Sequence, residues 1–187
     1  EVLARIREAL TVPTAGHPDR TPVVRPPSEA PRWAADFDGM WTQFEARSAA
    51  LKTEVHRVAD ADACRTLLRG MAASDGWGRA ASHRAELTAD IVDRLDLPVL
   101  WVDDGLPTTE LEACPVGIST CEALVAPSGS AWVSPGRGGG RALSSLPPHH
   151  VILARCSDLV ADLAAAFARL RERFPEGWPS FLSLITG

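Results

Sequence analysis

Lysine is almost absent from this chain: Lys52 is the only one in 187 residues, although lysine and arginine together number 19. A Walker loop needs lysine directly after glycine to reach a nucleotide's phosphates, and Lys52 follows Leu51 late in a helical stretch. A Schiff-base enzyme would have to rely on that same solvated residue. Cysteine is sparse too: Cys64, Cys114, Cys121 and Cys156 form no C-x-x-C pair, and the closest two have six residues between them. Such spacing prefigures neither zinc nor an iron–sulfur cluster, so no metal and no cofactor is expected, and the thiols read as small buried groups in a reducing compartment. No apolar run approaches the roughly 20 residues that span a bilayer. Glu1 to Leu10 carry interspersed charges, unlike a secretory signal, so a cytoplasmic location is expected. No G-x-G-x-x-G follows any strand candidate, and no G-x-S-x-G elbow is present. Basic residues are not collected into a run, and the net charge is −5. Nucleic acid is therefore not expected as a partner, because phosphate neutralisation needs a concentrated basic surface.

What is present has the composition of a soluble globular domain, 45% hydrophobic and 23% charged. Val2 to Leu10 has helical spacing, and Thr11 to Pro31 is proline-rich and reads as an extended tether. The division expected is thus residues 1–32 as helix and linker, and 33–187 as one α/β domain. Trp33, Phe37, Met40, Trp41 and Phe44 mark the apolar face of a first helix. Val55 to Val58 alternates like a strand, and Asp60 offers an N-cap to a helix carrying Cys64, Leu67, Leu68 and Met71. A strand over Gly78 to Ser82, a helix through Leu87, Ile91 and Leu95, and a strand from Pro98 to Val102 repeat the β–α alternation. That alternation predicts a mixed, largely parallel sheet flanked by helices. Short strands follow at 116–119, 122–126, 130–134 and 151–154. Ser157 is expected to cap a helix ending at Arg173, and Phe181 to Ile185 to form a last strand.

The segments VGISTCEALVAPSGSAWVS, PGRGGGRALSSLPPHHVILA and LSLITG resemble the pattern of the LUD-domain family, which includes the lactate-utilisation protein LutC. Gly117, Ser128, Gly129, Ser130, Arg141, Leu146, Pro147, His150 and Gly187 fall in register with it. The resemblance implies a fold related to sugar-phosphate isomerases, CoA transferases and 5-formyltetrahydrofolate cyclo-ligase (the NagB/RpiA/CoA transferase group). It also implies a non-redox accessory role in lactate oxidation beside iron–sulfur partners like LutA and LutB. An isomerase- or transferase-like enzyme and a purely structural interaction domain are the rival readings. Where the family commonly places glutamate before T-G-T this chain has Pro127, and the preceding acidic position is Glu122.

Several residues have side chains suited to a site. Gly138, Gly139 and Gly140 lack Cβ atoms, so backbone N–H groups can approach an anionic metabolite, and Arg141 adds a guanidinium. A mobile loop with solvated arginines is the plain alternative. The turn formed by Ser128, Gly129 and Ser130 would bring its serine hydroxyls to the same pocket, or is simply a tight turn. His150, near neutrality in its unperturbed pKa, is a candidate acid/base, or a residue satisfying a strand start. Its neighbour His149 should face the other way, so the two make no chelating pair. Glu122 is the candidate base, or one half of an ion pair with an arginine such as Arg141. Asp103 and Asp104 end a strand candidate, where open sheets place ligands, but they also suit a polar turn.

Overall fold

The computed structural model describes residues 36–105, 108–134 and 140–186. The helix expected at Val2 to Leu10, the tether after it, Trp33 and the glycines Gly138 and Gly139 lie outside the described residues.

Helix α1 spans Phe37–Ala50, and it starts there because the Asp36 carboxylate accepts the Gly39 N–H at 2.7 Å. Phe44 is buried on it, and Phe37, Met40 and Trp41 pack around Ala126 and Leu159. The aromatic spacing read as a core face is one. Val55 to Val58 has no regular structure and pairs with no strand among the described residues, contrary to expectation. Val55 packs instead on the α1 cluster, so the alternation marks a half-buried connector rather than a ladder. Helix α2, Ala61–Asp75, is capped as the sequence indicates, by Asp60 accepting the Ala63 N–H at 2.9 Å. It ends at Gly76, whose φ of +70° is the left-handed conformation a C-terminal stop favours.

Four parallel strands form the first sheet: β1 Ala80–Ser82, β2 Val99–Trp101, β3 Val116–Thr120 and β6 His149–Leu153, in the order β2-β1-β3-β6. Helices cover both faces. Leu68 and Trp77 with Ile91 and Val92 of α3 (Glu86–Val92) pack on Val116 and Ile118. On the other side Leu111 of α4 (Thr108–Glu112) and Leu143 of α5 (Gly140–Leu143) meet Ala81 and Cys114. Each such fully buried aliphatic side chain contributes about 1.5–3 kcal/mol. Gly117 lets α5 come this close: a Cβ there would stand 2.4 Å from the Leu143 carbonyl oxygen.

The remaining strands form a second sheet rather than extending the first. Its order is β7-β4-β5-β8, with β4 Ala123–Val125, β5 Ser130–Val133, β7 Leu159–Val160 and β8 Ser183–Thr186. β4 and β5 are an antiparallel hairpin, β7 runs parallel to β4, and β8 antiparallel to β5. Helix α6, Leu163–Arg173, covers this sheet through Ala166 and Leu170 against Val125 and Trp132. Ser157 is not its cap. Residues Cys156–Asp158 make a single 3-10 turn, β7 intervenes, and Asp162 caps α6 by accepting the Ala165 N–H at 2.7 Å. The α/β class, with a parallel four-stranded sheet between helices, is as expected. Among the described residues no helix is long and apolar enough to cross a membrane.

Candidate functional site

In the parallel sheet the chain steps from β1 outward to β2, then returns past β1 to place β3 on its other side. Adjacent strand ends diverge at such a reversal, and a crevice opens outside their carboxyl ends. Here that edge holds His83 after β1, Thr120 closing β3, and Arg155 after β6. Above it lies a recess of about 450 Å³, its wall including Thr120, Glu122, Leu153, Arg155, Asp158 and Arg173. That volume falls within the range of small-molecule sites.

Glu122 occupies the two-residue junction between β3 and β4 and is only 2% exposed. A buried carboxylate needs donors, and it has them: the Ser134 hydroxyl donates to Oε1 at 2.6 Å and Arg173 Nη1 to Oε2 at 2.9 Å. The second Arg173 nitrogen donates to Asp158 at 2.9 Å, and Arg169 also binds Asp158. The Asp158 carboxylate further accepts the Arg155 N–H at 2.8 Å. Two buried acids and two α6 arginines thus form a charge-balanced wall. Among the described residues Glu122 pairs with Arg173 rather than with the Arg141 considered from sequence. Beside Glu122, burial pushes the Cys121 thiol well above its usual range, so it is no nucleophile at neutral pH.

At the mouth Arg155 pairs with Glu86, the first residue of α3, at 3.1 Å, and both side chains are largely solvated, 54% and 89% exposed. Deeper, the imidazole of His83 is 2% exposed. Its Nε2 accepts the Thr120 N–H at 3.1 Å, taking a β3 donor beyond the last paired residue of β1, and lies 3.3 Å from Thr120 Oγ1. Burial lowers the His83 pKa, against an opposing pull from Asp103 and Glu122, which keeps the ring neutral near pH 7. Thr88, fully buried, fixes the turn after β1 by donating to the His83 carbonyl at 2.6 Å and accepting the Ala85 N–H at 2.9 Å. Nothing in the sequence pattern singles out His83. Its contact with Thr120 spans 37 residues and exists only because β1 and β3 are neighbours.

The other sequence candidates are placed elsewhere. His150 lies on β6, with Nε2 2.8 Å from the Ser119 hydroxyl, and burial lowers its pKa to about 4. His149 is exposed, as alternation requires. Ser128 and Gly129 make the β4–β5 turn and Ser130 opens β5. Gly129, at φ +64°, packs against the α1 end, where a Cβ would stand 2.8 Å from the Ser48 nitrogen. The Ser130 hydroxyl meets that of Thr186 at 3.2 Å. Gly140 and Arg141 border a separate small hollow with Ser134 and Phe181, the guanidinium lying 4.9 Å above the Phe181 ring. Of the candidates among the described residues, only Glu122 lines the large recess. Asp103 and Asp104 form a 3-10 turn bound to Arg84: Asp103 accepts its N–H at 2.7 Å, and Asp104 its guanidinium at 2.6 and 2.8 Å. Among the described residues no group of three or more His, Cys, Asp or Glu is arranged to hold a metal ion.

Compared with known proteins, residues 41–187 match the family model described as LUD domain. Among solved structures the chain is similar to the crystal structure of a DUF162 family protein from Deinococcus radiodurans. The TM-score is 0.66 at 21% identity, covering 81% of this chain and 89% of that one, a likeness of fold. Among curated proteins nothing matches.

Proposed function

Since the chain belongs to the LUD-domain family, we propose that it is a LutC-like, non-redox component of a lactate-utilisation system, acting beside iron–sulfur partner proteins and binding a small anionic metabolite. The recess at the carboxyl ends of β1, β3 and β6 is the site of that binding. The observation that carries this reading is the state of Arg155. Its partner Glu86 is solvated, and exposed ion pairs are worth about 0–1 kcal/mol. A ligand carboxylate therefore displaces Glu86 at little cost and gains a charge-assisted bond. Arg173, by contrast, is committed to Glu122 and Asp158.

Titration calorimetry with L-lactate and pyruvate tests the proposal. Saturable binding, weakened about tenfold or more in Arg155→Met, is the expected result. Affinity unchanged by that substitution would reject the assignment. The enzymatic alternative, with Glu122 as base for a phosphate- or carboxylate-bearing substrate, draws support from its position on the same wall. Both its oxygens already accept hydrogen bonds, from Ser134 and Arg173, which ties the side chain into the wall of the recess, so the binding reading is preferred.

A further inference from the structure

We infer that the outer edge of β8 is a docking strand for a second copy of this chain, the two β8 strands pairing antiparallel about a twofold axis. The mixed sheet then continues from one copy into the other. The contact uses none of the residues that line the recess, and it does not depend on what the recess binds.

Backbone direction in the β4–β5 hairpin sets which groups β8 presents. The Trp132 carbonyl accepts the Glu122 N–H at 2.6 Å, so Trp132 turns its main-chain groups toward β4. Alternate residues of a strand turn theirs to opposite sides, so Ala131 and Val133 face β8. Their register partners are Ile185 and Ser183, which leaves the N–H and C=O of Leu184 and Thr186 pointing out of the sheet. β8 ends the order β7-β4-β5-β8 and pairs with no further strand among the described residues. The other three sheet edges are blunted in the usual ways. β2 has three residues and follows Pro98, β7 has two and lies between Asp158 and Asp162, and β6 follows Pro147 and Pro148. β8 has four residues, and from Phe181 to Thr186 there is neither a charge nor a proline.

An apolar surface adjoins this edge. Leu184 lies directly across from Trp132, so it shares the face that α6 covers, and it is 45% exposed. Phe167 meets Trp132 edge-on at 4.8 Å, and Trp178 stacks on Phe167 at 5.5 Å. These two rings are 38% and 49% exposed. Exposed apolar groups beside an unblunted edge mark an association surface. A second copy is the occupant these features fit. A twofold axis through Ile185, perpendicular to the sheet, sets Leu184 opposite Thr186 of the other copy, and Thr186 opposite its Leu184. The outward groups of each strand are then satisfied by the other. Both α6 helices lie on one side of the joined sheet, and the two sets of Phe167, Trp178 and Leu184 line the groove between them. Each chain carries a net charge of −5, yet the strands that meet carry none, so like copies join here without opposing charges across the ladder. A self-complementary contact of this kind closes at two. Strands this short place it at the small end of specific interfaces, so the dimer is weak.

Sedimentation velocity of the full chain from about 5 to 500 µM tests the contact, with amide hydrogen exchange at both ends of that range. The expected result is a monomer–dimer equilibrium. The Leu184 and Thr186 amides should be protected only at high concentration, and the Ile185 amide, which faces β5, at both. Leu184→Lys places a charge on the edge and should raise the dissociation midpoint about tenfold or more. Thr186→Pro removes an outward N–H that β5 does not use, and should do the same. Leu51→Lys, at an exposed residue closing α1, is the control and should leave the midpoint unchanged. Circular dichroism reports whether each variant is folded. Leu184→Lys changes a side chain already solvated in the monomer, so it keeps the test decisive if Thr186→Pro does not fold. A chain that stays monomeric to about 500 µM overturns the proposal, even if β8 takes up a strand from another protein. So does a dimer that Leu184→Lys leaves intact, or one in which the Leu184 and Thr186 amides still exchange freely.

Discussion

Replacing Glu122 by alanine removes the centre of the buried charged wall, and its cost can be worked from the contacts. Glu122 is 2% exposed and accepts from Ser134 at 2.6 Å and Arg173 at 2.9 Å. Removing one member of a buried ion pair typically costs about 3–5 kcal/mol, because the surviving charge is left uncompensated. Here Arg173 keeps Asp158 at 2.9 Å, and its side chain is 27% exposed. Both soften the loss, which places Glu122→Ala at about 3 kcal/mol. In a domain of this size 1 kcal/mol moves Tm by about 2–4 °C, so the expected drop is roughly 6–12 °C. Glu122→Gln keeps the volume but turns an amide N–H₂ toward one of two donors, and should cost about 2 kcal/mol. Glu86→Ala, removing a carboxylate that is 89% exposed, is the control and should change stability by about 0.5 kcal/mol or less. Thermal and urea unfolding of the three variants measures all of this. Equal Tm shifts for Glu122→Ala and Glu86→Ala would refute the argument that burial sets the worth of these pairs.

Other outcomes follow from the same contacts. His150 has a folded pKa of about 4 against an unfolded value near 6.5, so the unfolded chain binds its proton first. Its influence is neutral above pH 6.5, becomes increasingly destabilising as pH falls toward 4, and is constant below that. His150→Gln should therefore flatten the loss of urea stability between pH 6.5 and 4.5, and an unchanged pH slope would show that the imidazole is not the group responsible. Gly117→Ala drives a Cβ to 2.4 Å from the Leu143 carbonyl and should cost about 1–3 kcal/mol, read as a lowered urea midpoint with unchanged m.

The fold was legible where one residue type in one place does one job. Asp60 before an apolar period announces α2, and the carboxylate makes the predicted bond. The strand expected at Val55 to Val58 failed because alternation describes a side-chain pattern, while a strand also needs a partner ladder, which is a non-local fact. Ser157 failed as a cap because Leu159–Val160 pair with β4, and that postpones the helix to Asp162. The division into two sheets was invisible because each strand pattern looks the same whichever neighbour it finds. At the site, Glu122 stood out as an acid in an apolar segment. Its partner Arg173 lies 51 residues away on α6, one among many helical arginines, and no local signal marks it. His83 escaped for the same reason: its chemistry comes from a neighbour supplied by sheet order.

Where β3 leads into β4, Cys121 and Glu122 alone separate the parallel sheet from the mixed one. With so short a junction, one inserted residue would invert the alternation of everything downstream in β4, turning Ala123 and Val125 out of their core and carrying the carboxylate away from Arg173. Evolutionary drift in this lineage can thus lengthen surface loops freely, but it should leave the spacing between Thr120 and Ala123 untouched. Homologues that change it must have rebuilt the recess rather than merely decorated it.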